Sequence, residues 1–253
     1  MSKFITDLSE MLANPKYITE FAFGIWETLY STVLATAFAY ILGLLLGVLL
    51  ITGDKDGIRP LPPALMRVLN FIINIVRSIP FLILMLMVLP LSMLLLGTKI
   101  GTPASIPPLV IAAAPFIARL VETSLREMDK GILEAAQSMG CTSWQIIWKV
   151  MLPECLPGLI SNLTTAFITI LGYGAMAGAI GGGGLGKIAI NYGYNRYNYA
   201  VMLVAVILIV ILVQIFQSIG SYFAARMDKR LSSGARKAVK KQIQRDKRVP
   251  GTM

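Results

Sequence analysis

The sequence predicts an all-α, polytopic membrane protein with five transmembrane helices, and three observations carry that prediction. Of its 253 residues, 56% are hydrophobic and only 14% charged, with a mean hydropathy of +0.71, a balance outside the range of water-soluble domains. Apolar runs at about 21–51, 69–96, 105–127, 158–181 and 199–223 each reach the ~20 residues that a helix needs to cross a bilayer. The cations are sorted as well. With the carboxyl end inside, 18 of the 23 Lys and Arg fall on the cytoplasmic side, which is how positive charge orients spans. This places the amino terminus outside.

Residues 1–20 form a polar N-terminal extension without the basic-then-apolar layout of a signal peptide. The first span, 21–51, carries Glu27 near its start and ends in the turn Thr52 to Gly57. Within it, Gly43 and Gly47 are four apart, a spacing that lets a second helix approach closely. The second span, 69–96, contains Arg77-Ser78-Ile79-Pro80. Pro80 frees a backbone carbonyl and predicts a kink, while Arg77 reaches the cytoplasmic headgroups more readily than a substrate. A turn-rich connection, Gly97 to Pro108, leads into the third span, 105–127. Near the end of that span Arg119 and Glu122 stand three apart and are spaced to pair.

The fourth span, 158–181, is rich in small residues, among them Gly172, Gly174, Ala175, Ala177, Gly178 and Ala179. Such a face either packs helices tightly or lines a narrow path. Tyr173 and Met176 are candidates for lining it, with ordinary helix packing as the alternative. The fifth span, 199–223, is uniformly apolar and needs no functional explanation. The basic tail, 224–253, supplies much of the net charge of +10. It has no aromatic interleaving after Phe223, so it predicts attraction to anionic lipid and no nucleic acid.

Between the third and fourth spans lies a stretch that is too polar to span, 131–157. Ile132, Leu133, Ala136, Met139, Ile146, Ile147 and Val150 recur at helical spacing, and polar residues occupy the other faces. This predicts two short amphipathic helices. Gly140 lies between them, where positive φ allows a sharp turn, and Pro153 and Pro157 close the segment. A structured elbow of this kind presents a knob to the aqueous phase; a helix lying on headgroups also fits the periodicity.

Several chemistries are excluded. The chain has no His and only two Cys, Cys141 and Cys155, so neither a disulfide framework nor a His or paired-Cys metal site is supported. Gly181 to Ile188 imitates a phosphate loop, but Ile188 stands where a Ser or Thr should hold Mg²⁺, and no βαβ unit surrounds it. The glycines there predict a tight loop at the outer mouth, beside the tyrosine-rich run Asn191 to Tyr199. The spans show neither the charged residues nor the internal repeat expected of an ion-coupled secondary transporter. A membrane-embedded enzyme would need a nucleophile or metal constellation, and none is visible.

Glu134, Ala135 and Ala136, then Gly140, then Val150, Leu152 and Pro153 resemble the EAA loop of ABC importer permeases, with Val150 where that loop usually has Ile. The stretches Val76 to Pro90, Ala112 to Leu125 and Leu171 to Asn198 are similar to the methionine-importer permeases, and the similarity runs from about Trp26 to about Phe223. The resemblance implies a type I ABC importer permease fold with five spans per subunit and a homodimer that forms the pathway. It also implies two ATPase subunits on the cytoplasmic side, which bind ATP and Mg in place of this chain, and a methionine-binding lipoprotein outside. The loop of Glu134, Ala135, Ala136, Gly140, Val150, Leu152 and Pro153 would then be the coupling helix that docks on the ATPase. In that role Ala136 serves close docking, Gly140 the turn, and Glu134 a cap or polar contact. The N-terminal extension and the long basic tail depart from the family pattern.

Overall fold

The computed structural model describes residues 15–227, and among the described residues there is no strand. Helix α1, Pro15–Thr52, runs for 38 residues without a break, so it includes residues that the sequence assigned to the extension. It is followed by α2, Pro63–Ser78, α3, Phe81–Leu96, and α4, Thr102–Arg126. The elbow holds α5, Lys130–Ser138, then α6, Ser143–Gln145, which continues through a π-helical turn, Ile146–Met151, into α7, Leu152–Glu154. Helix α8, Leu156–Ala177, leads to the short α9, Gly184–Lys187, and α10, Tyr199–Met227, closes the described chain. Four helical stretches are long and apolar enough to cross a membrane, and the bent pair α2–α3 makes five.

Helix α4 is the centre, packed against α1, α3 and α8, with α10 outermost on α8. Gly43 and Gly47 permit the contact with α1. A Cβ at Gly43 would lie 2.5 Å from Ile117, and one at Gly47 would lie 2.7 Å from the Ala118 carbonyl. Since lipid tails solvate Leu as well as protein does, it is this close approach that joins the two helices. Gly47→Leu is therefore expected to cost about 3 kcal/mol, the upper range for overpacking a filled interior. A thermal unfolding series in detergent checks this, and an unchanged midpoint would refute the packing role.

Two expectations need correction. The second apolar run breaks far more sharply than a proline kink: α2 and α3 meet at 110°. Ile79 precedes Pro80 and is extended (φ −81°, ψ 127°), as the proline ring demands of its neighbour, so the helix ends rather than bends. The second correction concerns Gly97 to Pro108, of which only the first part is a connection, because α4 already begins at Thr102. Pro103 lies in the first turn, where a missing N–H costs nothing. Pro108 deprives the Ala104 carbonyl of its helical donor, and the buried Ser92 hydroxyl of α3 donates to that carbonyl instead, at 2.8 Å.

Candidate functional site

The elbow is built from its caps. The Asp129 side chain accepts from Gly131 N at 2.8 Å and starts α5. Gly140 follows at φ +75° with no atom within 4 Å of where its Cβ would be, so the conformation and not the space selects glycine. Thr142 and Gln145 then form a reciprocal capping box that starts α6. Pro153 lacks an N–H to continue the ladder, and the preceding turn widens into the π form, with Leu152 N donating to the Ile147 carbonyl.

These turns fold the elbow onto the spans. Ala136, Ile146, Met151 and Cys155 are buried in one cluster with Val121 and Leu125 of α4 and Leu159 of α8. In an aqueous setting, burying a side chain the size of Ile146 or Met151 contributes roughly 2 kcal/mol, so the elbow is fixed to α4 and α8.

The seven EAA-loop positions consequently divide. Glu134, Ala135, Gly140 and Pro153 are exposed, and Val150 and Leu152 are half-buried against the core. Ala136 is only 2% exposed, with its side chain packed in the core of its own chain. Met139, expected on the inner face, is 76% exposed, because it stands just past the end of α5. The exposed crest also contains Trp144 and Trp148, with ring centroids 5.5 Å apart. Sequence reasoning passed over these tryptophans, although two exposed aromatics one turn apart, opposite an apolar face, were there to be read.

Of the pathway candidates, Tyr173 stacks on Phe81 of α3 with centroids 4.3 Å apart, and Met176 is half-exposed on the same helix. Tyr173 therefore has a packing partner within its own chain.

A second constellation lies at the end away from the elbow. The Glu27 carboxylate of α1 accepts from the Thr102 hydroxyl of α4 at 2.6 Å and from Gly184 N at 2.8 Å, while Thr28 Oγ1 accepts from Leu185 N at 2.9 Å. Thus one acid ties α1, the start of α4 and the glycine-rich segment together. Among the described residues no strand precedes that segment, which enters α9 from a single 3₁₀ turn at Gly178–Ile180.

Among the described residues the protein is a bundle of apolar helices with an exposed elbow braced against α4 and α8. The chain belongs to the binding-protein-dependent transport system inner membrane component family, whose model matches residues 43–232. The probable D-methionine transport system permease protein MetI of Vibrio cholerae is 49% identical over 205 residues, covering 81% of this chain and 91% of that protein. The methionine import system permease protein MetP of Bacillus subtilis is 49% identical over 167 residues, covering 66% and 75%. In solved structures, the fold matches a chain of the MetNI methionine ABC transporter in an inward-facing conformation with a TM-score of 0.83 at 42% identity, covering 85% of this chain and all of that one.

Proposed function

We propose that this chain is the permease subunit of an ATP-driven methionine importer. Two copies form the pathway, two separate ATPase subunits dock on the elbows from the cytoplasm, and an extracytoplasmic binding lipoprotein delivers methionine. The amino end lies outside and the carboxyl end inside; most of the N-terminal extension and of the basic tail lies outside the described residues. The observation that carries the mechanism is the elbow itself: an exposed crest of Glu134, Met139, Trp144 and Trp148 whose inner face is part of the core of α4 and α8. Closure of the ATPases brings the two elbows together and rocks the spans so that the pathway opens outward; ATP hydrolysis, performed by the partner, resets it inward. Methionine as substrate rests on the relatives' assigned transport.

Uptake of labelled L- and D-methionine into proteoliposomes, with a cognate ATPase and binding protein, tests both parts. Uptake that requires ATP and the ATPase is expected. Uptake of another small amino acid alone would discard methionine, and uptake by this chain unaided would discard the permease role. A variant separates coupling from folding. Gly140→Asp meets no neighbouring atom, and Asp is among the residues that tolerate positive φ. It is expected to assemble normally and hydrolyse ATP while uptake falls roughly tenfold, as a carboxylate added to the exposed turn at a cost of ~1.4 kcal/mol of coupling would do. Wild-type uptake would remove Gly140 from the coupling path.

A further inference from the structure

At the end of the bundle opposite the elbow, the chain builds a rigid strip of backbone that carries exposed side chains. Gly101 N donates to the Gly181 carbonyl at 2.7 Å, which joins the connection after α3 to the glycine-rich segment that Glu27 already fastens. A π-helical turn follows α9 over Ile188–Tyr194. Its Gly193 lies so close to α10 that a Cβ there would come 2.6 Å from that of Met202. The chain then turns back before α10, with Tyr197 N donating to the Tyr194 carbonyl at 3.1 Å and Asn198 N to the Gly193 carbonyl at 2.9 Å. Asn198 starts α10, its side chain accepting from Val201 N at 3.2 Å.

Within that turn Tyr197 takes φ +57°, and among the described residues no other side chain larger than glycine's has positive φ. A bulky residue is strained in this conformation, for which a turn ordinarily uses Gly or Asn. Packing within the chain does not offset the strain, because Tyr197 is 73% exposed and its side chain, among the described residues, has no hydrogen bond or ring contact. Strain kept at an exposed aromatic points to a role outside the fold. Tyr194 and Tyr199 are exposed as well. The charge of this end is one-sided. Lys99, Lys187 and Arg196 are exposed, Arg196 resting over the Tyr192 ring at 4.7 Å. Among the described residues the carboxylates here are Glu20, half-buried on α1, and Glu27, both of whose oxygens accept hydrogen bonds. A girdle of tyrosines for lipid headgroups needs no strained turn, whereas rigid Tyr and Arg among cations have the composition of a protein-docking surface. Its complement is acidic.

We infer that Tyr194, Arg196 and Tyr197, together with the exposed cations of this end, form a docking surface for a protein with an acidic face, and that Tyr197 is its anchor. The inference rests on the function proposed above, under which that partner is the extracytoplasmic binding protein, and it assigns the part of this chain that receives it. Because the backbone is fixed before the encounter, little order is lost on docking. The cations speed the encounter and make it sensitive to salt.

The test varies the concentration of binding protein, loaded with labelled methionine, outside proteoliposomes that hold the permease, its ATPase and internal ATP. Tyr197→Gly removes the anchor and suits positive φ. The thermal midpoint of the permease is therefore expected to hold or rise, while the half-saturating concentration of binding protein rises about tenfold, the effect of truncating an interface anchor, and the plateau rate stays. Added salt should raise that concentration for the wild type and lower it for the triple variant Lys99→Glu, Lys187→Glu, Arg196→Glu, where attraction has become repulsion. An unchanged half-saturating concentration with Tyr197→Gly, or the same response to salt in both proteins, would overturn the docking surface and leave methionine transport standing. A lower thermal midpoint accompanying the loss would make Tyr197 a structural residue and overturn its assignment as anchor. Uptake that does not depend on the binding protein would overturn this inference together with the delivery step on which it rests.

Discussion

Alanine at both Trp144 and Trp148 is expected to release the ATPase and abolish ATP-driven uptake while leaving the permease folded. The two rings stand together on the elbow crest, 68% and 52% exposed, and the capping box between Thr142 and Gln145 holds the turn that carries them. Large aromatic anchors of this kind dominate protein interfaces, at about 2 kcal/mol or more each on truncation. Together that is roughly a thousandfold in affinity. Co-purification of the ATPase with tagged permease, combined with the thermal midpoint of the permease alone, measures the two quantities separately. Full retention of the ATPase would place the docking surface elsewhere on the elbow.

Glu27→Ala is expected to have the opposite signature: a large loss of stability with the elbow untouched. The substitution leaves the Thr102 hydroxyl and the Gly184 N–H without their acceptor, and each half-buried orphan costs about 1–3 kcal/mol. Glu27→Gln keeps one acceptor oxygen and should recover about half of the loss. Thermal midpoints of the three proteins in detergent decide the matter, and equal midpoints for wild type and Glu27→Ala would show that the carboxylate does not fasten the glycine-rich segment.

What could be read from the sequence was whatever local chemistry decides. The elbow emerged because helical periodicity, a glycine that needs positive φ and two prolines all lie within 27 residues of chain, and Gly43 and Gly47 announced a close helix contact that α4 makes. Hidden features depend on distant partners. Glu27 looked like an isolated acid, since Thr102 and Gly184 are 75 and 157 positions away. The prolines before Leu109 looked like a loop, since the Ser92 hydroxyl that relieves Pro108 belongs to another helix. Periodicity also ran one residue too far at Met139, where α5 has already ended. Pro80 signalled a lost hydrogen bond, but the 110° turn follows from where α2 finds its polar partners, Arg119 above all.

That turn also leaves α3 as the more apolar half of a broken span. At 16 residues it is about 24 Å long, against a hydrocarbon layer of ~30 Å, and its outer face of Ile83, Met87 and Leu94 is exposed. Where α3 crosses by itself, the bilayer thins beside it or the helix ends sink, at a fraction of a kcal/mol per ångström of mismatch. The thickness of the surrounding lipid therefore acts on this protein as a mechanical variable. Longer acyl chains press on the shortest helix first, and membranes of different composition will favour different tilts of α3 without any change in the chain itself.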